Sequence, residues 1–180
     1  MLGFLSISLF GFAQNNSIHR ATSNPASRLI FYDFGMVDFN VNSLYKYQNG
    51  MTLSNWNTLA VSFVDTVNVS TWKLQFMAES AYLQSDGGSA NLDLATIEIV
   101  VQDGGGNYNL ESNNNIVDPG GDGDFALQNT WTDIITGAPE GSFEDFRIII
   151  SYKCGKGSVS LMDKDPDYYF VDIYFRVTPE

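Results

Sequence analysis

The acidic side chains of two loops are the residues whose types and spacing are best suited to chemistry. Asp163, Asp165 and Asp167 occupy alternate positions in one loop. Ca2+ takes about six to eight oxygen ligands, and alternating Asp residues in a turn can supply some of them. The sequence therefore predicts a calcium site there, although a solvated turn is the alternative because Asp and Pro are ordinary turn residues. The second candidate set is Asp118, Asp122 and Asp124.

The first loop begins with the spacing of an EF-hand but does not continue as one. Tyr168 stands where the EF-hand loop requires Gly, and Tyr174 stands where it places the bidentate Glu. We therefore expect calcium to be possible at either loop, but no cofactor to be required.

Residues for nucleophilic or zinc chemistry are scarce in this chain. The only histidine is His19, in a polar stretch, and the only cysteine is Cys154. A catalytic triad needs an oriented base beside its nucleophile, and a zinc site needs several Cys or His ligands. A pair of carboxylates would suffice for a glycosidase, but no spacing marks a pair among the 21 acids. We predict that the chain is not an enzyme and has no catalytic residues.

Two tryptophans are candidates for stacking against sugars. Trp56 and Trp131 are flanked by polar residues, which is typical of loops, whereas Trp72 lies on the apolar face of a predicted strand. We predict Trp56 and Trp131 as ligand-binding residues, with partly buried loop anchors as the alternative.

The net charge of −12 restricts the partners that this chain can have. Nucleic-acid binding depends on Lys and Arg contacts to phosphates, and anionic membrane surfaces attract basic segments. We therefore expect neither partner. An acidic surface is also the ordinary means of staying soluble.

Residues 1–13 have the pattern of a secretory signal peptide. Residues 2–13 carry no charge and are rich in Leu, Phe and Ile, and small residues Gly11 and Ala13 precede Gln14. This stretch is too short to span a bilayer, and no later stretch has 18 consecutive apolar residues, so no transmembrane anchor is expected. The Ala-Gln ending resembles signal peptides of Bacteroidota, which implies a bacterial protein that is secreted or held at the cell surface. An apolar first strand of the fold is the alternative interpretation.

The rest of the chain has the period-two alternation of β-strands. After a flexible leader at residues 14–28, apolar residues alternate with polar ones at 72–78, 146–152 and 169–177. No window has sustained helical periodicity. The sequence predicts one all-β domain at residues 29–180, a two-sheet antiparallel immunoglobulin-like β-sandwich of about eight strands. The Gly- and Asn-rich stretch 103–124 is predicted to be a long loop, with a short strand at residues 107–111.

Two short segments resemble known surface domains. Tyr168 and Tyr169 lead a strict alternation to residue 177, which resembles the last strand of pilin-type domains, including chaperone–usher pilins and spore-coat-U-like proteins. Trp72-Lys73-Leu74, followed by the strand at 97–101, is similar to the first half of WxL cell-surface domains, whose second Trp-x-Leu motif is missing here.

The pilin likeness implies assembly in which a neighbour's strand fills an open groove of the sandwich. The segment after the leader is the predicted donated strand, and an ordinary first strand paired within its own domain is the alternative. Its residues are Leu29, Ile30, Phe31, Tyr32 and Phe34.

These observations favour a secreted or cell-surface structural or adhesive subunit that self-associates or binds other surface proteins. A carbohydrate-binding or other ligand-binding module is the main alternative, with glycans as partners, and a small secreted hydrolase is the third. A β-sandwich can host all three roles, so the fold alone does not separate them.

Overall fold

A computed structural model describes residues 4–11, 26–32, 37–64, 71–117, 124–156 and 159–180. Residues 14–25 of the predicted leader, including His19, lie outside the described residues, as do residues 1–3 and 12–13 of the predicted signal peptide.

The chain is an all-β sandwich of two sheets, as the sequence predicts. The described residues form one short helix, α1 (Leu44–Asn49), and a 3-10 turn at Leu94–Thr96. The strands, in chain order, are β1 Phe4–Gly11, β2 Ala26–Phe31, β3 Val37–Asn40, β4 Met51–Val64, β5 Thr71–Ala78, β6 Tyr82–Ser85, β7 Leu92–Asp93, β8 Ile97–Asp103, β9 Asp124–Ala126, β10 Thr132–Pro139, β11 Gly141–Cys154 and β12 Tyr169–Pro179.

The strand count exceeds the predicted eight or so because several strands are very short. β3, β7 and β9 have four, two and three residues.

The two sheets differ in size and in the direction of one pair. The smaller sheet has the order β2-β4-β11-β8-β9, with antiparallel neighbours throughout. The seven-stranded sheet has the order β10-β5-β12-β1-β3, with β6 paired to β12 and β7 paired to β6. Its β1–β12 pair is parallel, so the predicted all-antiparallel pattern is broken at that one position.

The core lies between the sheets and is rich in aromatic rings. Trp72 is fully buried, as its place on the apolar face predicts, and packs edge-on against Phe146 with ring centroids 5.0 Å apart. Its indole nitrogen donates to the Pro139 carbonyl oxygen at 2.7 Å. Cys154 is also buried, and burial raises the pKa of its thiol to about 12, so the thiol stays protonated and serves as a small apolar side chain.

The described part of the Gly-rich loop after β8 is held by hydrogen bonds to the Asp103 side chain and to the β11 backbone. The Asp103 carboxylate accepts hydrogen bonds from the backbone nitrogens of Gly105 and Leu110, each at 2.7 Å, and Leu110 is fully buried. A Cβ on Gly106 would lie 2.1 Å from the Asp145 carbonyl oxygen, so this glycine permits close approach to β11. The short strand predicted at residues 107–111 is absent, and these residues form a turn.

Candidate functional site

The first strand lies between the last strand and β3, in register with buried positions of both. Seven consecutive residues of β1 pair in parallel with Tyr169–Phe175, and four pair in antiparallel fashion with β3. We call the space between Tyr169–Phe175 and Val37–Asn40 the β12–β3 slot. The pairs that involve buried partners include Leu5 with Tyr169 and Phe39, Ile7 with Val171 and Val37, and Leu9 with Ile173.

The residues in the slot are those that the sequence assigns to a signal peptide. The segment Leu5-Ser6-Ile7-Ser8-Leu9 has a strict period-two alternation, which suits a strand with one apolar face. In the structure residues 4–11 form a strand, and the signal peptide stays a prediction. Cleavage after Ala13 would remove all of this strand and leave β12 and β3 without it.

The predicted donor strand is paired within its own chain in this structure. Leu29 is buried in β2, and Phe31 packs edge-on against Phe175 with centroids 5.9 Å apart. Tyr32 follows β2, donates its backbone N–H to the Thr58 carbonyl oxygen at 2.8 Å, and is 53% exposed. The register partners are Leu29 with Val61, Ile30 with Ala60 and Phe31 with Leu59.

This arrangement is the one that the sequence left open as an ordinary first strand. Among the strands that the structure describes, β2 lies at the edge of the smaller sheet and pairs with β4. Phe34, the last residue of the predicted donor segment, lies outside the described residues.

The three acids of the first predicted calcium loop do not gather around a common point. Among the residues that the structure describes, no group of three or more acidic, Cys or His side chains could hold a metal ion. Asp163 has a left-handed backbone, with φ of 64°, and the Asp165 carbonyl oxygen accepts a hydrogen bond from the Tyr169 hydroxyl at 2.8 Å. The prediction of calcium ligation by Asp163, Asp165 and Asp167 therefore has no geometric support.

Asp167 instead closes the loop between β6 and β7. Its carboxylate accepts hydrogen bonds from the Ser85 hydroxyl and from the backbone nitrogens of Gly87 at 3.0 Å, Ser89 at 3.2 Å and Tyr168 at 2.7 Å. The bond from Ser85, followed by that from Tyr168, lowers the pKa of this carboxyl to about 2. Because these donors stabilise the charged form, the carboxylate acts as a structural acceptor.

The second predicted calcium loop is described only at its end. Asp118 and Asp122 lie outside the described residues, so calcium binding by this set stays a prediction. Asp124 begins β9 and forms an ion pair with Lys153 of β11. Burial, followed by the charge of Asp124, raises the pKa of the neighbouring Glu98 carboxyl.

The two predicted ligand-binding tryptophans belong to different sheets. Trp56 lies in β4 at an irregularity of its pairing with β11, beside Asn55, whose φ is 51°, and is 40% exposed. Trp131 directly precedes β10, at one edge of the larger sheet. The structure therefore does not unite them in one site, although each has accessible surface.

Trp131 is the first member of a polar array across the larger sheet that sequence reasoning missed. The Arg176 guanidinium lies 3.9 Å from the centre of its ring and donates from Nε to the Gln75 side-chain oxygen at 2.7 Å. The Gln75 amide donates to Asp133, whose other oxygen lies 3.5 Å from the Lys73 ammonium nitrogen. We call these five residues the Trp131–Lys73 array.

The alternation in β5 and β12 could have placed the array residues on the side away from the core. Lys73 and Gln75 alternate with buried Trp72 and Leu74, and Arg176 follows buried Phe175. The order β10-β5-β12 brings these strands together, and no sequence pattern predicted that order.

Comparison with known proteins adds no family assignment. No protein-family model matches the chain, and no curated protein matches it. Within the part of the chain that the structure describes, no helix is long and apolar enough to cross a membrane.

Proposed function

We propose that this chain is an exported cell-surface subunit that assembles by strand addition at the β12–β3 slot. The observation that supports the proposal is the pairing of β1 with buried positions of β12 and β3 by a segment that also has the pattern of a signal peptide. Export would remove the strand that fills the slot, and assembly would supply a replacement. The sandwich in this role is structural or adhesive and of the immunoglobulin-like type.

An emptied slot favours association for a physical reason. Seven register pairs with β12 would lose their partner, and a buried backbone group without a hydrogen bond costs about 1–3 kcal/mol. Water can form hydrogen bonds with these groups, but it would also contact the apolar side chains of Val171, Ile173 and Val37, which are buried in the strands that border the slot. An open strand edge with an apolar face is a template for a strand from another chain.

The proposed donor is β2 of a second copy, preceded by its leader. Among the described strands β2 pairs with β4, so its release breaks one backbone ladder together with the packing of Leu29 and Phe31. The 12 residues of the segment 14–25 can span at most about 40 Å when extended, which is enough to reach an adjacent molecule. Self-association is therefore the proposed partnership, and the cell surface is the proposed location.

Electrophoresis of the exported protein, with and without boiling in detergent, tests this function. Strand-added subunits are held by a backbone ladder and buried apolar contacts, so we expect a ladder of multimers that collapses to one band on boiling. A single band of monomer mass in both lanes would contradict assembly through the slot.

A competing peptide makes the test specific to the slot. A synthetic peptide with the sequence of residues 4–11 and a solubilising tail should fill the slot and shorten the ladder when present during assembly. The matched control peptide replaces Leu5, Ile7 and Leu9 by Asn, which removes the apolar alternation and keeps the backbone. Equal effects of the two peptides would show that the ladder does not depend on this slot.

Glycan binding is a second candidate function, favoured by a separate observation. The Trp131–Lys73 array brings a partly exposed aromatic ring and two cationic side chains together on the larger sheet.

A further inference from the structure

The Arg176 guanidinium is fixed on two sides while its terminal nitrogens remain available. Its Nε donates to Gln75, which is only 6% exposed, and its flat face lies on the Trp131 ring. Among the described residues no acceptor bonds the terminal nitrogens, and they are not among the buried polar atoms without partners. The fork of N–H groups is therefore not fully buried and is held in a set orientation, so little side-chain entropy remains to be lost on binding.

A second cation lies beside this fork. In the register of β12 with β5, Arg176 pairs with Gln75 and Thr178 pairs with Lys73, so the two basic side chains are diagonal neighbours. The Lys73 ion pair with Asp133 spans 3.5 Å between half-exposed side chains, and such surface pairs contribute little stability. Lys73 can therefore turn toward an incoming anion at small cost.

Other acids on this face lie at a distance from the fork. Asp172 lies four residues before Arg176 on the same strand, about 13 Å away at the usual rise of a strand. Glu79 and Asp172 both lie near the Tyr174 hydroxyl. Burial, followed by a hydrogen bond with Glu79 and the charges of Glu79 and Asp172, raises the pKa of that hydroxyl. The nearest acid is Asp133, which is already engaged by Gln75 and Lys73.

A carboxylate fits this fork better than other anions do. A planar guanidinium forms two parallel, charge-assisted hydrogen bonds with a carboxylate, which gives both strength and orientation. The net charge of −12 penalises multiply charged anions such as phosphate more than a singly charged group.

The ligand that carries the carboxylate is argued from the position of the array. Peptides that bind to sheets add to a strand edge or enter a groove, whereas the array lies on the face of three paired strands. A sugar ring can lie flat on such a face and meet the polar side chains of the array. We propose that the Trp131–Lys73 array binds the carboxylate of an acidic sugar, with Arg176 as the contact residue and Trp131 and Gln75 as positioning residues.

Calorimetric titration of the whole protein with methyl galacturonoside, a sugar that carries one carboxylate, tests this proposal. The matched control ligand is the same sugar with its carboxylate methyl-esterified. We expect saturable binding of the acid form and at least about tenfold weaker binding of the ester, because the ester cannot accept charge-assisted hydrogen bonds. Binding of the acid form should also weaken as salt is added.

Two arginine variants assign the effect to the array. R176K keeps the charge but loses the planar fork, so the affinity for the acid form should fall about tenfold. R147K makes the same change at an exposed arginine of β11 in the other sheet and should bind as the unaltered protein does. W131F removes part of the ring that supports Arg176, so the affinity for the acid form should fall by less than it does in R176K. An unchanged melting temperature would confirm that each variant is folded.

Three results would overturn the proposal. They are equal affinity for the acid and ester forms, no binding of either at millimolar concentration, and undiminished binding by folded R176K. The Trp131–Lys73 array does not include the β12–β3 slot, so each of these results would leave the assembly proposal standing.

Discussion

Tyr152 and Asn57 form a buried polar pair between two central strands of the smaller sheet. The Tyr152 hydroxyl donates to the Asn57 side-chain oxygen at 2.9 Å, and both side chains are nearly inaccessible to water. Burial raises the pKa of Tyr152 far above its ordinary value, so the phenol remains a neutral donor. This hydrogen bond fixes the pairing of β4 with β11 beside the irregularity that holds Trp56.

Replacing Tyr152 by Phe should destabilise the protein, because the Asn57 oxygen loses a donor in a dry environment. We expect the free energy of unfolding to fall by about 1–3 kcal/mol in urea titrations. Y32F is the control, since Tyr32 is 53% exposed, and it should change stability by less than about 0.5 kcal/mol. Equal stability of Y152F and the unaltered protein would contradict a stabilising role for this hydrogen bond.

Asp167 should make the fold sensitive to acid. Its pKa is about 2 in the folded chain against an ordinary value of 3.8, so its stabilising effect is complete above pH 3.8 and is lost as the pH falls through about 2. D167N should be less stable at pH 7 and should show a smaller decline between pH 4 and pH 2. Thermal melts across this range measure the difference.

Asp165 provides the control for this pH dependence. No hydrogen bond to its side-chain oxygens occurs within the described stretches of the chain. D165N changes a neighbouring acid of the same loop, and a pH profile of D167N that parallels those of D165N and the unaltered protein would exclude the proposed role of Asp167.

At the scale of elements, the loop after β8 needs two glycines for different reasons, one for close approach to β11 and one for its backbone conformation. Gly106 lies against the β11 backbone, whereas Gly105 has a φ of 76° and open space where a Cβ would be. G106A forces the loop away from Asp145 and should cost about 1–3 kcal/mol or more of stability. G105A places a side chain in the left-handed region and should cost about 1–2 kcal/mol.

Urea titrations of the two variants compare these costs, and G106A should be the more destabilised. The opposite order would mean that the loop can move away from β11 at little cost in the free energy of unfolding. Composition predicted a long loop here but not its contacts, because it records the glycines and not the Asp103 hydrogen bonds or the nearby β11 backbone.

The long strands could be predicted from the sequence because their alternation is local. Apolar positions of β5, β11 and β12 mark their buried faces, and Trp72 is buried as predicted. The parallel β1–β12 pair and the neighbours of Arg176 could not be predicted, because both depend on strand order between distant parts of the chain. The sequence left the acidic loop at Asp167 open between a calcium site and a turn, because carboxylates that bind metal and carboxylates that close turns can have the same spacing.

At the scale of the whole molecule, one segment has two roles that exclude each other, a strand of the larger sheet and part of a signal peptide that is removed. Residues 4–11 complete the larger sheet in the structure, yet they also fall within a predicted signal peptide. A mature chain that begins at Gln14 must leave the β12–β3 slot open, close it by rearrangement or fill it with another chain. The proposed assembly is the third of these outcomes.

Native mass spectrometry of the protein isolated from the cell surface tests this account most directly, because it reports chain length and stoichiometry together. We predict multimers whose dissociated chains each begin after Ala13. Monomers would contradict the account, whether they retain residues 4–11 in the slot or lack them and remain unassociated.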